Sequence, residues 1–192
     1  MSRIVWVDRY GYQDWLAQFY REHGQTEQFL TAQVELLKTR FTPEGYQKLQ
    51  TQAKSLENWQ SRRQSLISAL AKKERHGCLV DIALLEADWE AALRHLQKVS
   101  RWYRAAHQEK VAAKIQADQP GTAIALYREM IEALINQRGR DNYRKAAQYL
   151  QTVQRLYKQL QQAGTCQQYV QELRSQNNNL PALKQELSKA GF

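Results

Sequence analysis

An aromatic residue followed by further residues three, seven and ten positions on recurs along this chain. Trp89, Ala92, Leu96 and Val99 form one copy, and Tyr143, Ala146, Leu150 and Val153 form another. Trp59, Arg62, Leu66 and Ala69 form a third, with a polar residue at the usually small position. Steps of three and four keep side chains on one face of an α-helix, so each copy reads as a helix that buries one stripe. The residues ahead of the aromatics agree. Leu56-Glu57-Asn58 precedes Trp59, Leu85-Glu86-Ala87-Asp88 precedes Trp89, and Asp141-Asn142 precedes Tyr143. An Asp or Asn there can accept a bond from the free backbone N–H groups of a new helix. A repeated helix that cannot bury its stripe alone constrains the chain to a stacked, all-α architecture.

The rest of the sequence fits that constraint. Stripes extend over 89–99, over 124–135 through Ile124, Leu126, Tyr127, Met130, Ile131, Leu134 and Ile135, and over 146–160. The three prolines and most of the eight glycines fall between stripes. They predict connectors near 24–25, 41–43, 75–77, 87–88, 119–121, 139–141, 163–165 and 176–181. Ile4-Val5-Trp6-Val7 is the one strand candidate, and no plausible pairing partner accompanies it.

A small residue at a helix crossing, with larger residues one and two turns on, is the pattern of a tetratricopeptide-like helix pair. A weaker copy is suggested around Tyr20, Gly24 and Phe29-Leu30, and the longer Trp89–Tyr143 interval leaves room for an extra pair over 103–118 and 120–138. The predicted fold is a right-handed α-solenoid of antiparallel tetratricopeptide-like pairs. It is read as a single helical-repeat domain over 1–192, with an N-terminal extension at 1–12 and a capping helix within 181–192.

Composition narrows the function classes. The chain has 192 residues, 43% of them hydrophobic, with 28 Lys+Arg against 19 Asp+Glu for a net charge of +9. That is enough apolar material for a sizeable core. No run approaches the roughly 18 apolar residues of a membrane span. Met1-Ser2-Arg3-Ile4-Val5-Trp6-Val7-Asp8-Arg9 carries charges where a signal peptide needs its apolar stretch, which predicts a cytoplasmic protein. Cys78 and Cys166 cannot make a disulfide framework or a zinc site by themselves.

No catalytic constellation stands out, and the chain is read as non-enzymatic, with no cofactor and no metal. His23, His76, His95 and His107 belong to no ligand motif; His107-Gln108-Glu109 lacks the later cysteines of a zinc deaminase. Glu129 and Glu132 share a helix side but read as a solvated edge beside core residues. Cys78 has His76 nearby, yet Cys78-Leu79-Val80-Asp81-Ile82-Ala83-Leu84-Leu85 reads as a buried helix with an inert thiol.

Three stretches resemble the helical-repeat region that follows the zinc motif in bacterial SWIM zinc finger proteins. The first is Trp15-Leu16-Ala17-Gln18-Phe19-Tyr20-Arg21-Glu22-His23-Gly24. The second runs from Gly45-Tyr46-Gln47-Lys48-Leu49 through Trp59-Gln60-Ser61-Arg62-Arg63 to Leu79-Val80-Asp81-Ile82-Ala83-Leu84-Leu85-Glu86. The third and most distinctive is Arg138-Gly139-Arg140-Asp141-Asn142-Tyr143-Arg144-Lys145-Ala146-Ala147. The C-x-C and C-x-H pairs of a SWIM zinc site are missing here. The resemblance therefore implies the fold and a scaffold role toward an unidentified protein or peptide partner, and it carries over no metal ligand.

The basic residues supply the alternative. Arg138, Arg140, Arg144 and Lys145 cluster around one turn with Tyr143 among them, a composition suited to phosphate contacts and base stacking. Arg101-Trp102-Tyr103-Arg104 likewise interleaves cations with aromatics. The competing reading makes Tyr143 a buried repeat aromatic and the arginines solvated or ion-paired. It is the preferred one.

Overall fold

The computed structural model describes residues 9–54, 56 and 58–192, and the side chains of 9 and 10 are outside it. Its described residues form eleven α-helices and no strand. The strand candidate at 4–7 and most of the 1–12 extension lie outside the described residues. Contacts gather the chain into two compact units, Met1–Val99 and Ser100–Phe192. The first holds α1 (Arg9–Glu22), α2 (Thr26–Thr39), α3 (Pro43–Ala53), α4 (Trp59–Lys72), α5 (His76–Leu85) and α6 (Trp89–Leu96). The second holds α7 (Arg101–Ile115), α8 (Pro120–Gln137), α9 (Arg140–Gln159), α10 (Ala163–Gln176) and α11 (Pro181–Lys189). Among the described residues, no helix is long and apolar enough to cross a membrane.

Local chemistry explains where several helices start. Pro43, Pro120 and Pro181 each open a helix, where their missing N–H leaves no bond unmade. Thr42 accepts from the Gly45 amide at 3.1 Å, and Asp88 from the Ala91 amide at 3.0 Å. The other two expected caps differ. Asn58 makes no side-chain capping bond, and Asp141 and Asn142 lie inside α9, whose N-cap is Gly139. Asn142 instead donates back to the Arg138 carbonyl at 2.6 Å.

Five helix exits share one geometry. In that of α11 the Phe192 amide stands 3.0 Å from the Leu187 carbonyl, with Gly191 at φ 91°. In the four others the amides of Gln25, Arg75, Asp88 and Gln162 reach back five residues to the carbonyls of Tyr20, Leu70, Ala83 and Tyr157, at 2.8–2.9 Å. The residue before each amide sits at positive φ: Gly24 at 68°, Glu74 at 53°, Ala87 at 56° and Gln161 at 57°. This is the Schellman exit, usually made by glycine. It displaces two expected connectors. Gly77 lies in the first turn of α5 and Gly164 in the first turn of α10, while the turns themselves fall at 73–75 and 160–162.

The repeat positions form the core. Trp59, Leu66, Ala92, Leu96, Val99, Tyr143, Ala146, Leu150 and Val153 are buried; Trp89 and Ala69 are half-buried. Arg62, at a position that is small in the other copies, turns to α2 and pairs with Glu27.

Alternate helices are tied together in parallel. In Met1–Val99, Arg62 near the start of α4 bonds to Glu27 near the start of α2. Just past the end of α4, Lys73 donates to the Lys38 carbonyl at 3.2 Å and Arg75 to the Thr39 carbonyl at 3.0 Å. The partners stand 35, 35 and 36 residues apart. In Ser100–Phe192, Lys145 of α9 donates to Glu109 of α7 at 3.0 Å, and Arg155 to Gln116 just past α7 at 3.1 Å. On the other side of α9, Arg140 donates to Gln185 of α11 at 2.9 Å, and Gln151 to the Ala190 carbonyl just past α11 at 3.1 Å. Between α2 and α4 start meets start and end meets end. Along α7, α9 and α11 the later residue of one helix meets the later residue of the other, so the paired helices run in the same direction.

Candidate partner-binding groove and the basic turn

The turn from Arg138 to Lys145 places its cations on several neighbours. Arg138 is exposed at the exit of α8 with φ 63°. Arg140 and Arg144 face α11, where each stands 3.9 Å from a carboxylate oxygen of Glu186. Glu186 is 4% exposed and also bonds Lys189 at 2.9 Å. The Lys189 bond, joined by the nearby arginines, holds its carboxyl below the ordinary range. Arg144 also meets Asp141 at 2.8 Å. Lys145 turns the other way, to Glu109 of α7 at 3.0 Å, with its ammonium 5.3 Å from the centre of the Tyr149 ring. Tyr143 between them is buried. The sequence cluster thus divides around a core tyrosine: Arg140 and Arg144 share Glu186, Lys145 pairs with Glu109, and Arg138 stands apart.

Further along α9 the situation reverses. A groove of about 880 Å³ lies along α9, α10 and the residues after α11. Arg155 and Lys158 line it from α9, and Cys166 and Val170 from α10, with Phe192 beside them. Gln151, Gln154, Gln167 and Gln171 add four amides, and no Asp or Glu side chain is in the lining. Among the described residues, Arg155 bonds the neutral amide oxygen of Gln116 and no carboxylate, so its charge is not offset there. The polar lining residues read in the sequence only as solvated helix faces, so nothing there marked a groove.

A second concavity in this unit, about 370 Å³, lies where α7, α8 and α9 meet and includes Arg101, Arg104, Met130 and Lys145. Trp102 and Tyr103 on α7 are 91% and 67% exposed and are not in its lining. Glu129 accepts from the buried Gln108 amide at 2.8 Å. Arg128 lies over the Tyr169 ring at 4.1 Å, and burial pushes the Tyr169 hydroxyl up to about 12 against that nearby cation.

In Met1–Val99, a cleft of about 560 Å³ runs between α1 and α2, with Tyr12, Leu16 and Tyr20 facing Ala32. Deeper in, Glu86 is gripped by Arg63 through two bonds of 2.6 and 2.5 Å and by the Tyr46 hydroxyl at 2.6 Å. Burial pushes the carboxyl up, but Arg63 and Tyr46 outweigh it and hold Glu86 below its ordinary range. His76 stacks on His95, ring centres 5.6 Å apart, with both Nδ1 atoms buried and unpaired. Burial pushes both thiols, Cys78 and Cys166, above their ordinary value, the opposite of what a nucleophilic cysteine needs.

No family model matches the sequence, and no solved structure matches it. Over 76 residues the chain is 34% identical to YwqB of Bacillus subtilis, described as an uncharacterized protein. That stretch is 40% of this chain, which spans only 14% of the length of that relative.

Proposed function

We propose that this chain is a non-enzymatic helical-repeat scaffold that holds a protein partner, built as a right-handed tetratricopeptide-like solenoid and acting in the cytoplasm. The observation that carries the reading is the parallel tie between alternate helices within each unit. In Met1–Val99 the partners on α2 and α4 stand 35–36 residues apart, close to the 34-residue period of a tetratricopeptide pair. Buried residues at the repeat positions support the same architecture. Such stacks present a continuous surface from alternate helices to a peptide or partner helix. The resemblance to the tail of SWIM zinc finger proteins fits this role.

Protein is favoured over nucleic acid as the partner because Arg140, Arg144 and Lys145 each already face a carboxylate. The test is cross-linked capture from the native cell, comparing the wild-type chain with variants of its exposed grooves. A stoichiometric protein partner lost from a groove variant that melts like wild type is the expected result. The reading fails if no protein is enriched, or if a single-stranded oligonucleotide binds at moderate salt and partner proteins do not.

A further inference from the structure

The positive charge of this molecule is unevenly available. Around the basic turn it is offset by Glu186, Asp141 and Glu109. At the far half of α9 stand two cations, Arg155 and Lys158, that meet no carboxylate among the described residues. Both stand in a concave surface that contains no acidic side chain. Fixed charges of one sign in a groove concentrate the opposite charge there, since field lines are focused by the surrounding low-dielectric walls.

The other lining groups narrow the ligand. Gln154, Gln167 and Gln171 carry both donors and acceptors, the pairing that a peptide main chain requires. Val170 and Phe192 give an apolar spot for one side chain. The exposed aromatic faces of this unit, Trp102 and Tyr103, on which a nucleobase would stack, are on α7 and outside the lining. At about 880 Å³ the groove is within the range of well-formed ligand sites, roughly 300–1,000 Å³, and admits a short extended segment.

We infer that this groove binds an acidic peptide segment of a partner protein. Asp or Glu side chains of that segment pair with Arg155 and Lys158, the glutamine amides bond its main chain, and an apolar side chain rests on Val170 and Phe192. The inference rests on the scaffold reading above and names the chemistry of the partner.

The experiment pans the full chain against a phage-displayed library of random dodecapeptides. Enriched peptides should be rich in Asp and Glu and carry an apolar residue. Their affinity should fall at least about tenfold on the Arg155→Glu/Lys158→Glu variant, a loss of about 1.4 kcal/mol. A matched control, Lys114→Glu/Lys184→Glu, makes the same change in net charge at exposed positions outside the groove and should bind as wild type does. Circular dichroism and melting confirm that the variants fold. If the reversed pair does not, Arg155→Gln/Lys158→Gln replaces it with the same expected direction.

Peptides without acidic enrichment, or peptides indifferent to the charge reversal, overturn the groove assignment while leaving the scaffold reading standing. A mixed-sequence single-stranded oligonucleotide that displaces the peptides and is lost in the same variant also overturns it. Failure to enrich any peptide counts against the groove, and the scaffold reading falls separately if cross-linked capture also finds no protein.

Discussion

The Arg63 guanidinium holds the Glu86 carboxylate in a two-pronged grip, Nε to Oε1 at 2.6 Å and a terminal nitrogen to Oε2 at 2.5 Å. Tyr46, wholly buried, donates a third bond to the same carboxylate. One acid on the exit of α5 thereby joins α3, α4 and α5.

Removing that acid leaves a half-buried guanidinium and a buried hydroxyl without their acceptor. Glu86→Ala should destabilise the protein by roughly 2–3 kcal/mol, as expected for hydrogen bonds to charged groups. Because the folded carboxyl is held low, this stability is present above the unfolded value of about 4.3 and is lost as pH falls through the folded value. Urea unfolding between pH 7 and pH 3 checks both statements; a Glu86→Gln variant with an unchanged acid profile would refute the second.

A different pH step is expected near neutrality. Burial, then the neighbouring His76, Arg94 and Lys98, push His95 below its ordinary value, with Asp88 opposing them. The unfolded chain takes up the proton first, so stability present above about pH 6.5 is lost as pH falls toward the folded value. Melting at pH 7.5 and 5.5 should show this loss in the wild type and a smaller one in His95→Phe. Equal losses would argue that another group is responsible.

Glu74, Ala87 and Gln161 occupy left-handed positions that glycine holds without a Cβ penalty. Glu74→Gly, Ala87→Gly and Gln161→Gly should each stabilise the protein by about 0.5–1 kcal/mol, the strain relieved less the greater freedom of an unfolded glycine. Gly24→Ala should act in the opposite direction. Chemical denaturation of the four single variants decides the matter, and a destabilising Gln161→Gly would contradict it.

Reversing the charge of Arg140 and Arg144 places two acids beside Glu186, which is almost fully buried. That double variant should loosen α11 from α9. Faster amide exchange is expected over 181–190 with little change in α8. Uniform protection in both helices would show that the contacts do not hold α11.

Much of the helical order was legible, for identifiable reasons. The α9 stripe from Tyr143 to Tyr157 was readable because glutamines and basic residues separate its apolar positions at regular spacing, and every position of the repeat copy within it is buried. The exits at Glu74 and Gln161 were not, because a glutamate or glutamine gives no sign in sequence of the left-handed backbone that each adopts there. The destinations of Arg140 and Arg144 were illegible for another reason. Their carboxylate lies on α11, and a contact so far along the chain leaves no local signal. The groove at Arg155 and Lys158 depends on which polar residues stay unpaired after folding, a property of packing and not of spacing.

The position of α9 has a consequence for how the Ser100–Phe192 unit comes apart. It packs on α8, α10 and α11 and is bonded to α7 through Lys145 and Arg155. α11 and α10 meet the unit mainly through α9, and α7 packs on α8, so α11 can detach by opening one seam, whereas α9 can leave only when its seams with all of them have opened. Opening of this unit therefore proceeds from the rim inward, and the amides of α9 should be the last to exchange with solvent.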